Sequence, residues 1–165
     1  MKTETILDTI RLWKEQPEKA VVKPAVTARG DQSQAIIEAG SFSWRADLPP
    51  VLGGTNQAPS PTALLLSALA GCAVVFIRDT LGPLLNVRIT EVHATARCRS
   101  DFRGLLGLDG AAPDLADIEL DVEISSPEEE RDVRGVIQAW MERCPIYLAL
   151  TKPMNVATKF TIKRA

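Results

Sequence analysis

Apolar and polar positions along this chain follow helical spacing in some stretches and strand alternation in others. Near the N-terminus Ile6, Ile10 and Trp13 recur at helical spacing, and Lys14-Glu15-Gln16-Pro17 closes the pattern. That predicts an amphipathic helix over Thr3–Gln16, packed on the rest of the protein. From residue 21 the pattern becomes extended and short. Val22–Ala28 reads as a strand, Arg29-Gly30-Asp31 as a turn, and Gln34–Glu38 as a second strand. Gly40 then turns the chain into Ser41–Ala46, where Phe42 and Trp44 share a face. The Pro- and Gly-rich stretch Leu48–Pro61 is too apolar for a flexible linker and is expected to be an ordered surface loop.

Ala63–Ile77 (ALLLSALAGCAVVFI) is the longest apolar run. Ser60 caps it, Pro61 suits the first helical position, and Gly82-Pro83 is the stop signal, so a helix is expected from Pro61 to about Leu81. A helix that is apolar nearly all round belongs in the middle of a structure. The run is shorter than the roughly 20 residues that a membrane span needs, which favours a core helix. Val87–Arg99 reads as a long strand that changes phase: Val87 and Ile89, then Val92, Ala94, Ala96 and Cys98, with a bulge expected near Thr90-Glu91. Asp117–Ile124 alternates cleanly, with Ile118, Leu120, Val122 and Ile124 on one face and acids on the other, as a half-buried antiparallel strand does. Ser126-Pro127-Glu128-Glu129 reads as a capping box, and Val133, Val136, Ile137, Trp140 and Met141 follow at helical spacing. Cys144-Pro145 interrupts that helix, because a residue before proline resists the α conformation. A short helix Pro145–Thr151 and a last strand through Val156, Phe160 and Ile162 complete the order. The fold class expected is α+β: an antiparallel sheet around a central apolar helix, with residues 1–20 a helical extension and 21–165 a single domain.

Composition narrows the class without naming a function. The chain has 165 residues, 45% hydrophobic and 24% charged, which is ordinary for one soluble domain. A net charge of −2 offers no electrostatic argument for nucleic acid or for an anionic membrane. Acids within Met1–Asp8 interrupt what a signal peptide would need, so a cytoplasmic protein is expected. Three cysteines without CxxC spacing argue against a disulfide framework and a structural zinc site. Neither a cofactor fingerprint nor a metal-ligand set is found, and none is expected.

The thiols are the remaining chemistry. Cys144 stands where an N-cap residue would stand, with Pro145 first in the helix and Arg143 beside it, a setting that favours a thiolate. Cys72 lies mid-helix with no such help, and by itself reads as a small buried hydrophobe. Cys98 continues the inward face of Val92, Ala94 and Ala96 and is structural. His93, the single histidine, falls on the opposite strand face from Cys98, so a Cys-His pair between them is disfavoured.

Pro50-Val51-Leu52-Gly53-Gly54-Thr55-Asn56 followed by Pro61–Cys72 (PTALLLSALAGC) resembles the first-cysteine motif of the OsmC/Ohr superfamily, the osmotically inducible protein C and organic hydroperoxide resistance proteins. Cys144-Pro145 with its short helix and final strand resembles the second-cysteine motif. The likeness covers roughly Val21 to Lys163. It implies an intertwined homodimer with active sites at the subunit interface and the central helices at the dimer core. It also implies a peroxidatic role for Cys72, a resolving role for Cys144, and a dithiol as reductant. Peroxidase members carry a glutamate just after the helix-starting proline and an arginine in the first hairpin. Thr62 and Ala63 stand at the former place, and Arg29 matches the latter. The expected function is thiol-dependent reduction of organic hydroperoxides through Cys72, Cys144 and Arg29. The alternative is a non-catalytic dimer that binds a small apolar ligand. Neither nucleic acid nor membrane is an expected partner.

Overall fold

The computed structural model describes residues 2–164. Helix α1 (Lys2–Glu15) and a 3-10 turn (Pro17–Ala20) precede three strands, β1 (Thr27–Asp31), β2 (Gln34–Ala39) and β3 (Phe42–Ala46). The central helix is α2 (Pro61–Phe76), continued by a π turn (Ile77–Leu81) and by α3 (Gly82–Leu84). Strand β4 (Glu91–Arg99), helix α4 (Phe102–Leu105), strand β5 (Ala116–Ser125) and helices α5 (Glu130–Arg143) and α6 (Pro145–Thr151) follow. The α+β class holds, but the strands form two sheets: a meander β1-β2-β3 and a ribbon β4-β5, both antiparallel.

One stripe of α2 and its continuation, Leu69, Ala73, Ile77 and Leu81, organises the core. Val92 from β4 and Val136, Ala139, Trp140 and Cys144 from α5 and its C-terminus close on that stripe. Apolar residues at every fourth position share one helix face, which is why the stripe meets both neighbours. Ser60 caps α2 as expected, its Oγ accepting from the Ala63 N–H at 3.1 Å. Within Pro61–Phe76 only Leu69 and Ala73 are fully buried, so the helix expected in the centre of the structure leaves much of its apolar surface open in a single chain. Ser67, Ala68, Gly71 and Val75 lie on the exposed side.

Several local readings are corrected. Arg29-Gly30-Asp31 is the end of β1, not a turn; Asp31 pairs with Gln34, and the turn falls on Gln32 and Ser33, with Gln32 at φ 55. Arg45 fixes this register by donating from Nη1 to Asp31 Oδ2 and Gln34 Oε1, both at 2.9 Å. Val22–Val26 is unpaired, and Val22 is 78% exposed. Gly82-Pro83 does not stop the central helix. Pro83 is the second residue of α3, in a first turn where its missing N–H is tolerated, behind the π turn that has shifted the pairing. Left-handed Asn86 (φ 56) follows the helix end instead. The expected phase change in the next strand is absent, since pairing begins at Glu91, and the irregularity sits between Arg97 and Arg99, around Cys98. The capping box does not form. Ser126 Oγ donates to the Arg88 carbonyl at 2.7 Å and accepts from Glu128 N–H, and α5 starts later, behind Glu129. The last strand is unpaired too: Val156, Phe160 and Ile162 are 76%, 88% and 94% exposed, because no strand edge of the same chain meets them.

Candidate active site

Cys72 reaches the site from the fourth turn of α2, one helical step past the buried Leu69. Cys144 reaches it from the junction of α5 and α6. Proline at 145 forces Cys144 out of the helix (φ −70, ψ 115), so the chain bends there and turns the thiol inward. Cys144 is both the end of α5, its N–H donating to the Trp140 carbonyl at 2.8 Å, and the cap of α6. In the latter role its Sγ accepts from the Tyr147 N–H at 3.5 Å. Its side chain is fully buried.

These two elements bring Cys72 Sγ and Cys144 Sγ to 2.7 Å, with both thiols free. A disulfide bond is ~2.05 Å long, so an oxidant that takes two electrons from the pair would need only a small closing movement to join them. Burial, first, pushes the Cys72 thiol above its ordinary value, and the hydrogen bond and charge of Cys144 push it the same way. The indole N–H of Trp140 and the backbone N–H of Ile146 oppose that shift, because both favour a thiolate. The Trp140 ring tilts at 47° against Tyr147, with centroids 5.0 Å apart. Both rings line a cavity of about 450 Å³ whose other walls include Leu69, Ile77, Leu120 and Ile137.

The other residues singled out from the sequence lie elsewhere. Arg29 is exposed on β1 opposite Ile36, and makes no side-chain hydrogen bond or ion pair among the described residues. One chain therefore assembles the two thiols without the guanidinium. Cys98 is half-buried on the inward face of β4, as expected, and is not part of the pair. His93 is exposed, opposite Glu123. Among the described residues no cluster of His, Cys, Asp or Glu is suited to a metal ion.

Two residues were missed. Trp140 showed only as a core position of α5. Asp47 showed no signal, yet it is 3% exposed and organises the loop ahead of α2. It accepts from the N–H groups of Leu48, Thr55 and Gln57, from the Thr55 hydroxyl at 2.6 Å and from Gln34 Nε2. These donors, led by the Thr55 hydroxyl, hold its carboxyl well below the usual carboxylate range. Gly54 lets the loop close on it, since a Cβ there would lie 2.0 Å from the Leu48 carbonyl oxygen.

The sequence profile of the OsmC-like protein family matches residues 54–159, more than half of the chain and the span that carries both thiols. The chain belongs to the OsmC-like protein family. Solved structures agree on the fold. An OsmC-like protein from Mycoplasma pneumoniae superposes with a TM-score of 0.65 at 23% identity, over 79% of this chain and 88% of that one. An organic hydroperoxide resistance protein OsmC from Legionella pneumophila gives 0.58 at 17% identity, over 79% and 90%. An osmotic stress induced and detoxification response protein from Psychrobacter arcticus gives 0.57 at 17%, over 77% and 86%. No curated protein matches. The helix Pro61–Leu84 is long and apolar enough to cross a membrane by length and composition alone, with a mean hydropathy of 1.8. In this OsmC-like fold it is the core helix against which β4 and α5 pack.

Proposed function

We propose that this OsmC-like protein is a cytoplasmic homodimer that reduces organic hydroperoxides with Cys72 and Cys144. The contact between the two sulfurs, 2.7 Å, carries this reading. As a thiolate, Cys72 attacks the hydroperoxide ROOH. An S–O bond forms, the O–O bond breaks, and the leaving alkoxide takes up a proton to become ROH. The Cys72 sulfenic acid then condenses with the Cys144 thiol, releasing water and forming a disulfide. A small dithiol reduces that disulfide by exchange and is itself oxidised. The apolar cavity beside Trp140 suits the organic part of such a substrate. Arg29, exposed and without a side-chain partner among the described residues, serves Cys72 across the subunit interface, which the open face of α2 forms.

The upward-shifted Cys72 thiol and the absent carboxylate at Thr62 and Ala63 favour a second reading. In it the dimer binds an apolar small molecule in the same cavity without turnover. Steady-state consumption of cumene hydroperoxide with dihydrolipoamide separates the two. Turnover that disappears in Cys72→Ser supports the peroxidase, whereas no turnover beyond the uncatalysed rate supports the binding module.

A further inference from the structure

Trp140 Nε1 is, among the described residues, the one buried side-chain nitrogen or oxygen without a hydrogen-bond partner. Its residue is 4% exposed, so the indole N–H lies away from bulk solvent. Buried indole N–H groups ordinarily find a partner, and an orphan asks for an explanation. The ring has little freedom to turn away. Trp140 lies one turn before Cys144, whose N–H it accepts at 2.8 Å, and Tyr147 flanks it at 5.0 Å. On the cavity side its neighbours are largely apolar, Leu69, Ile77, Leu120 and Ile137 among them. Its N–H is nonetheless near enough to the Cys72 sulfur to favour a thiolate there, and that sulfur is here engaged with Cys144 Sγ at 2.7 Å. A neutral thiol is a weak acceptor, whereas a thiolate or a sulfenate oxygen is a strong one. The donor is thus fixed in place before any charge exists for it to meet. That is how a preorganised group stabilises charge that develops during a reaction.

We propose that the indole N–H of Trp140 holds the negative charge on Cys72 as its thiol becomes a thiolate and then a sulfenate. The proposal rests on Cys72 being the residue that hydroperoxide oxidises. Trp140 gives a hydrogen bond and no proton; the hydroperoxide's own O–H proton passes to the leaving alkoxide, which leaves as ROH while Cys72 is left as the sulfenate. The backbone N–H of Ile146, the first that α6 offers after Pro145, is the second donor. Together they replace part of what a carboxylate-oriented guanidinium would do, and they come from the same chain as the thiol. Trp140 also walls the apolar cavity, so one ring borders the organic group of the substrate and carries the donor for the sulfur.

The test uses the whole 165-residue chain carrying Cys98→Ala. Iodoacetamide alkylation of Cys72, followed by mass spectrometry across pH, reports its titration, and stopped-flow reaction with cumene hydroperoxide reports its oxidation. Trp140→Phe keeps an aromatic ring and loses the N–H. Replacing Trp140 by 3-benzothienylalanine keeps the bicyclic shape and loses only the N–H, which guards against a folding defect. Both variants should move the Cys72 midpoint upward by about one pH unit, and slow oxidation near neutral pH by about tenfold. The melting temperature of the benzothienyl variant should stay that of the parent. An unchanged midpoint and rate in the benzothienyl variant would overturn the proposal. So would equal slowing of alkylation above the midpoint, which would mark a purely steric role. Absence of any hydroperoxide reaction in the parent would end the peroxidase reading, while the alkylation titration would still decide whether Trp140 supports the Cys72 thiolate.

Discussion

A thiol buried against a second thiol is a poor nucleophile until something offsets the cost of its charge. For Cys72 the sign is clear: burial and Cys144 raise its pKa above the ordinary 9.0, so little thiolate is present at neutral pH in one chain. Alkylation of Cys72 should therefore keep accelerating above pH 9, where an unperturbed thiol levels off. Cys144→Ser should lower the midpoint, because the hydrogen bond and charge that raise it are then removed. A profile that levels off near pH 9 in the parent would contradict this. Asp47 works in the opposite direction. Its carboxyl is held well below the usual range, so its contribution to stability is complete above the unfolded value of ~3.9 and is lost as pH falls below it. Asp47→Asn should lower the unfolding midpoint at pH 7, and the gap to the parent should narrow in acid. Equal gaps at pH 7 and pH 3 in denaturant melts would contradict that. Neither the loop contacts of Asp47 nor the place of Trp140 beside Cys72 was legible in the sequence, because both depend on groups that only the folded chain brings near them. The pairing of Cys72 with Cys144 was legible only through the family resemblance of PTALLLSALAGC and of Cys144-Pro145, since Cys72 by itself reads as a small buried hydrophobe.

Elements whose causes are local were read correctly. The cap at Ser60, the broken helix at Cys144-Pro145 and the alternation of β5 depend on neighbouring residues, and each appears where its signal lies. Errors arose where a distant segment decided the outcome. Arg45 bonds Asp31 and Gln34 and so keeps Arg29-Gly30-Asp31 in a strand. Ser126 is taken by the Arg88 carbonyl, which removes it from the cap of α5. The central helix runs through Gly82-Pro83 because the π turn before it re-phases the hydrogen bonds. Gly82 is then enclosed: an added Cβ would lie 2.9 Å from the Val87 carbonyl oxygen and 3.1 Å from Ile89 Cγ1. Gly82→Ala should cost about 1–3 kcal/mol of stability by overpacking. A urea melt with an unchanged midpoint would show that this corner can give way.

At the scale of the whole molecule the single chain leaves apolar surface uncovered. The exposed side of α2, the meander β1-β2-β3 and the unpaired segment through Phe160 and Ile162 all leave apolar surface open. A second copy is the economical cover for a helix as apolar as α2, and the family resemblance implies the same. Sedimentation at micromolar concentration should give a dimer, and Val75→Glu, on the open side of α2, should shift it toward monomer. A monomer in the parent protein would contradict the interface.

The most direct measurement for the two-cysteine account is oxidation of the reduced protein with one equivalent of cumene hydroperoxide per chain, followed by thiol titration and peptide mapping. Of the three cysteines, two should be lost together and one kept. The mapped bridge should join Cys72 to Cys144, with Cys98 still free. Slow loss of all three thiols, or a bridge that includes Cys98, would contradict it.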